Sequence, residues 1–129
     1  LGRGTGFPFQ VVGHPDLKKC AFSFTPQPGP LSREPKYFNQ RCYGLDLRKE
    51  SYLTEHPRKI NLTWLKTIYE NLGRDDFFDK NFNYHSGNTF LQEQIKKNEP
   101  EAAIRKSWQA DLDTFKNIRE KYLLYPDFQ

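Results

Sequence analysis

The run Gly2-Arg3-Gly4-Thr5 sets a guanidinium between two glycines within the first five residues. Glycine on both sides permits positive φ and close backbone approach, so successive N–H groups there can form an anion-binding nest. The planar fork of Arg3 adds donors that suit a carboxylate or phosphate. The run is neither a P-loop, which needs G-x4-G-K-[ST], nor a dinucleotide fingerprint, because Gly6 leads into Phe7-Pro8 and not into a helix. Its plainer reading is an exposed chain end. His14 lies between Gly13 and Pro15, in a turn that serves a cleft or simply meets solvent. His56 precedes Pro57 and His85 lies in NYHSGN; the three histidines show no metal-binding or triad spacing. Cys20 and Cys42 match no metal pattern either. A disulfide between them would close a loop of about 22 residues, worth about 3 kcal/mol; the other reading is two small buried thiols. No carboxylate pair of the glycosidase type stands out. Asp46, on a strand, is the most notable acid and reads as hydrogen-bonded structure. No catalytic residue, metal or cofactor is assigned to the chain on these grounds.

The elements that must position these groups fall in two halves. FPFQVV (7–12) reads as a strand with Pro8 near its start, broken by Gly13 and Pro15. CAFSFT (20–25) alternates with period two, as does RCYGLDLR (41–48). Should these two strands be neighbours, the cysteines could approach. Between them PQPGPLSREPK holds four prolines in eleven residues and reads as a surface loop. After residue 50 the period lengthens. Asn61 is a candidate N-cap and Gly73 a C′ residue, with Leu62, Leu65, Ile68 and Leu72 on one helical face. An irregular aromatic stretch follows, with a short helix around Phe77 and Phe78, then a helix over 90–97 stopped by Asn98. From Pro100, apolar residues at Ile104, Trp108, Leu112, Phe115, Ile118 and Tyr122 predict an amphipathic helix of about six turns ending near Leu124. Its aromatic face is expected in the core. Strands first and helices after make an α+β fold: a small antiparallel or mixed sheet from the N-terminal half, packed against C-terminal helices.

At 129 residues the chain is sized for one domain. Eleven Phe, seven Tyr and two Trp supply a core of few, large side chains. The net charge of +4 is mild, and Lys and Arg alternate with Asp and Glu, as in RKSWQADLDTFKNIREKY. That is a solvated surface; it excludes a strongly basic nucleic-acid stripe as the leading reading and tolerates an acidic cell-wall polymer. No apolar run approaches the ~18 residues of a membrane span. Methionine is absent, so Leu1 as written is no translation start, and the chain is expected to be processed or part of something longer.

Taken in order, GRGTGFPFQVVGHP, the CYGLDL strand and the ending SWQADLDTFKNIREKYLLY resemble the C-terminal part of the NamZ family of peptidoglycan exo-β-N-acetylmuramidases. The matching positions are Gly2 to Thr5, Pro8-Phe9, Val11 to Gly13, Cys42, Gly44, Trp108, Phe115, Arg119 and Tyr122 to Tyr125. The resemblance implies a C-terminal auxiliary domain, spanning residues 1–129, of a longer enzyme that releases N-acetylmuramic acid from non-reducing ends of peptidoglycan fragments. The family's essential acid is then expected in an N-terminal Rossmann-like domain outside this sequence. This segment would form one wall of the cleft, with Arg3, Gly4 and Thr5 nearest the sugar and Arg3 on the lactyl carboxylate. The family turn departs here at GHPD, so His14 is a candidate substrate contact on position alone. The implied partners are muramoyl sugars and the N-terminal domain, and the implied location is periplasmic or secreted, with a lipoprotein as one form. A non-catalytic glycan-binding module is the second reading, and a basic nucleic-acid binder the third.

Overall fold

β-branched and aromatic alternation before residue 50 and three-to-four spacing after it divide the architecture as they divide the sequence. The computed structural model describes residues 1–30, 32–48 and 59–127. Strands β1 (Val11–His14), β2 (Phe22–Phe24) and β3 (Cys42–Asp46) make a three-stranded sheet in the order β1-β3-β2, antiparallel throughout. Helices α1 (Thr63–Leu72), α2 (Phe82–Ser86), α3 (Phe90–Lys96), α4 (Glu101–Ser107) and α5 (Gln109–Glu120) follow, with a 3-10 turn at Asp75–Phe77. The fold is α+β, ending in a long helix. The chain forms two compact units, Leu1–Phe77 and Phe78–Gln129. In the first, Val11, Leu17, Cys42, Leu62 and Ile68 are buried; in the second, Leu91, Ile95 and Ile104 are.

The strand expected over 7–12 begins later, at Val11. Residues 7 to 10 turn instead, with the Gln10 N–H donating to the Phe7 carbonyl at 3.2 Å, and Phe9 takes a left-handed φ of 63°. Gly13 does not break β1. It sits opposite Gly44 of β3, and a Cβ on Gly44 would lie 1.9 Å from the Val12 carbonyl oxygen, so the backbones meet at a distance only glycine allows. Phe22 faces Gly44 and Phe24 faces Cys42, whereas Cys20 lies outside the ladder, before β2, with its N–H on the Leu17 carbonyl at 2.9 Å. Both thiols are free, Cys42 fully buried and donating weakly to the Gln40 carbonyl at 3.7 Å.

The helix ends follow their local chemistry. The Asn61 side chain accepts the Trp64 N–H at 3.3 Å, and Gly73 closes α1 in the left-handed region with its N–H on the Tyr69 carbonyl. Asn98 ends the α3 segment at φ 54°. The last helix departs from expectation in two ways. It is broken at Trp108, whose N–H reaches back three residues to Arg105 at 3.2 Å while the Ser107 hydroxyl donates to the Ile104 carbonyl at 2.7 Å. Serine back-bonding of this kind bends helices. Its apolar stripe is also not core: Leu112, Phe115, Ile118 and Tyr122 are exposed, Phe115 by 58% and Tyr122 by 77%. A three-to-four spacing chooses which face is apolar; it does not supply the surface that covers it.

Candidate functional site

A cavity of about 980 Å3 opens where three segments of the first unit meet. The opening loop supplies one side, β2 a second and the proline-rich loop after β2 the third. Two contacts fasten the loops together. The Gln27 N–H donates to the Gly4 carbonyl at 2.7 Å, and Gly4, at φ 83°, lies so close to Pro35 that a Cβ would approach its ring carbons to 2.6 Å. Within the opening loop, the Thr5 hydroxyl donates to the Gly2 carbonyl at 2.6 Å and accepts the Phe7 N–H at 3.2 Å. Thr5 thus builds the loop, and Arg3 is left at its outer side, exposed.

The lining combines apolar rings with cations. Phe7, Phe9 and Phe24 contribute the rings and Arg3 and Lys36 the charges; no Asp or Glu is among the lining residues. Arg3 makes no hydrogen bond or ion pair with any described residue. Lys36 lies 5.1 Å from the centre of the Tyr37 ring and has no carboxylate partner among the described residues. The amides of Arg3 and Gly4 likewise donate to no described carbonyl, and Gly2 and Gly4 on either side of Arg3 both hold positive φ. Alternation of this kind orients successive N–H groups toward one point. By contrast Arg48, behind Phe7 at 4.3 Å, is neutralised: its Nε and Nη2 donate to the Asp46 carboxylate at 2.8 and 2.7 Å. Asp46 is therefore a structural acid, as its place on a strand suggests.

Of the residues singled out by sequence, Arg3, Gly4 and Thr5 come together in this lining, and His14 is not part of it. His14 stands at the end of β1, edge-on to Tyr37 at 4.9 Å, with its Nδ1 accepting the Asp16 N–H at 3.1 Å. Burial is the main cause that holds its pKa below the ordinary 6.5, Asp16 pulls the other way, and Arg74 and Lys36 add to the lowering. With Nδ1 occupied as an acceptor the neutral ring carries its hydrogen on Nε2, and the 3.5 Å approach to the Asp16 carboxylate is no ion pair. His85 is exposed on α2, and His56 lies outside the described residues. Among the described residues no three His, Cys, Asp or Glu side chains gather as a metal site, and no helix is long and apolar enough to cross a membrane. Lys36 and Phe9 were not singled out by sequence. Lys36 hides in a loop that reads as surface, and Phe9 in a run that reads as strand; the Pro8 turn before Gln10 is the signal that marks Phe9.

The family described as exo-β-N-acetylmuramidase NamZ, C-terminal, matches residues 1–125. The chain belongs to this family. The peptidoglycan β-N-acetylmuramidase NamZ of Bacillus subtilis (strain 168) is 28% identical to it, over 96% of this chain and 33% of that protein. A crystal structure of a DUF1343-family protein from Bacteroides fragilis superposes with a TM-score of 0.92 at 36% identity, over 99% of this chain and 36% of that one. The NamZ C-terminal fold described here thus spans about a third of the length of these relatives.

Proposed function

We propose that this chain is the C-terminal part of an exo-acting β-N-acetylmuramidase that releases N-acetylmuramic acid from non-reducing ends of peptidoglycan fragments, and that the cavity forms one wall of its substrate cleft. The observation that carries this reading is the lining itself: among the described residues it holds two cations without carboxylate partners, amides beside one of them that donate to no carbonyl, and no acid. Muramic acid differs from glucosamine by a lactyl ether bearing a carboxylate, the group such a lining selects. Arg3 and Lys36 bind that carboxylate, Gly4 lets the loop close against Pro35, and Thr5 holds the loop in shape. The proton donor for glycosidic cleavage comes from an N-terminal Rossmann-like domain of the same polypeptide. The exposed stripe of α5 is the surface offered to that part, since contiguous apolar patches of this kind mark interaction sites. The enzyme works outside the cytoplasm, periplasmic or secreted, on peptidoglycan.

A second reading, a glycan-binding module without hydrolytic activity, is favoured by the same absence of acids from the lining, and it describes what this chain does by itself. Kinetics separate the two. In the full-length polypeptide, Arg3→Ala is expected to raise KM for muramoyl substrates about tenfold or more and to leave chromogenic N-acetylglucosaminides nearly unchanged. Equal effects on both substrate classes would remove the carboxylate role. Saturable binding of muramoyl fragments with no turnover by the full-length polypeptide would establish the binding module.

A further inference from the structure

Phe9 combines two features that folding alone does not reward. It occupies the third position of the turn Phe7–Gln10, after Pro8, at φ 63°. This is the layout of a type II turn, whose third position ordinarily takes glycine or asparagine, because a larger side chain is crowded at positive φ. At the same time Phe9 leaves 75% of its surface to solvent. A buried ring would offset the strain by packing, and an exposed position would be filled more cheaply by glycine.

The neighbouring rings are engaged. Phe7 lies under the Arg48 guanidinium at 4.3 Å, Phe24 lies 6.0 Å from Phe22, and Tyr37 meets His14 and Lys36. Phe9 lines the same cavity and has no aromatic or cationic partner among the described residues. An aromatic face is electron-rich and attracts the polarised C–H bonds of an apolar surface laid upon it. A pyranose offers such a surface on one side of its ring and hydroxyls around its edge. A ligand that satisfies both an open aromatic face and two cations with no carboxylate partner among the described residues is a sugar ring bearing a carboxylate.

We infer that Phe9 is the stacking platform of the cavity, carrying the C–H face of a pyranose while Arg3 and Lys36 take up the carboxylate. This rests on the muramoyl reading above and divides the labour within it: Phe9 recognises the ring that N-acetylmuramic acid and N-acetylglucosamine share, and Arg3 the group that distinguishes them. The test is calorimetric titration of the full-length polypeptide with each monosaccharide, beside thermal melts. Phe9→Gly removes the ring and suits the turn, so it is expected to weaken both sugars about tenfold while Tm holds or rises. Phe9→Trp keeps a face and is expected to bind both, with its indole emission changing on titration. Unaltered affinity in Phe9→Gly overturns the platform and leaves the muramoyl reading intact if Arg3→Ala still weakens N-acetylmuramic acid selectively. Lost affinity together with a lowered Tm makes Phe9 a structural residue and overturns the platform. Should the unsubstituted protein bind neither sugar, the muramoyl reading fails and the platform with it.

Discussion

Arg3 and Thr5 are two residues apart and have opposite fates. The Thr5 hydroxyl is occupied on both sides, by the Gly2 carbonyl and the Phe7 amide, whereas the Arg3 guanidinium meets no described partner. Residue type therefore identified the Arg3 loop in the sequence, but which of its polar groups is available follows only from hydrogen-bond partners. Lys36 makes the same point more sharply, since it joins Arg3 from more than thirty residues away and carries no local pattern. His14 shows what a shifted pKa does to stability. Because burial depresses its folded-state pKa, the unfolded chain takes up a proton more readily. The contribution of His14 is then complete above about 6.5 and is lost as pH falls toward the lower folded-state value. Thermal melts from about pH 7 down to about pH 5 are expected to show a smaller drop in His14→Asn than in the unsubstituted protein. Asn retains an acceptor near the Asp16 amide and does not titrate. Parallel curves would show that His14 is not the titrating group.

Sheet and helices differ in how locally they are encoded. The Asn61 cap, the Gly73 terminus and the Asn98 stop act within four residues, and all three are readable in sequence. The β1–β3 contact is not local. Gly13 looks like a strand breaker until Gly44 is placed opposite it, when both become conditions for the two backbones to approach. Gly44→Ala must push β1 away from β3, an overpacking cost of about 3 kcal/mol, visible as a lower denaturant midpoint. Gly29→Ala is the matched control: its Cβ would meet open space, and the midpoint is expected to stay within error. The break at Trp108 was illegible for a related reason. The apolar spacing runs through it unbroken, and the break coincides with the Ser107 hydroxyl turning back on the Ile104 carbonyl.

For the whole molecule, the apolar stripe of α5 is the feature on which the proposed contact with a larger part can be tested. Periodicity makes the stripe legible but says nothing of what covers it, and no residue of α5 is buried. Paired substitutions Leu112→Ser and Phe115→Ser should change the stability of the 129-residue chain by no more than about 0.5 kcal/mol, as for any exposed site. If the larger part covers the stripe as proposed, the same pair is expected to lower Tm in the full-length polypeptide. Equal melting behaviour in both contexts would leave the stripe in solvent and remove it from the proposed architecture.

The cysteines bear on where such a chain keeps its shape. With Cys20 in the turn before β2 and Cys42 buried in β3, both as free thiols, no disulfide braces the sheet. Its strength is the same whether the surroundings are oxidising or reducing, and export to an oxidising compartment neither tightens it nor is needed for it to fold.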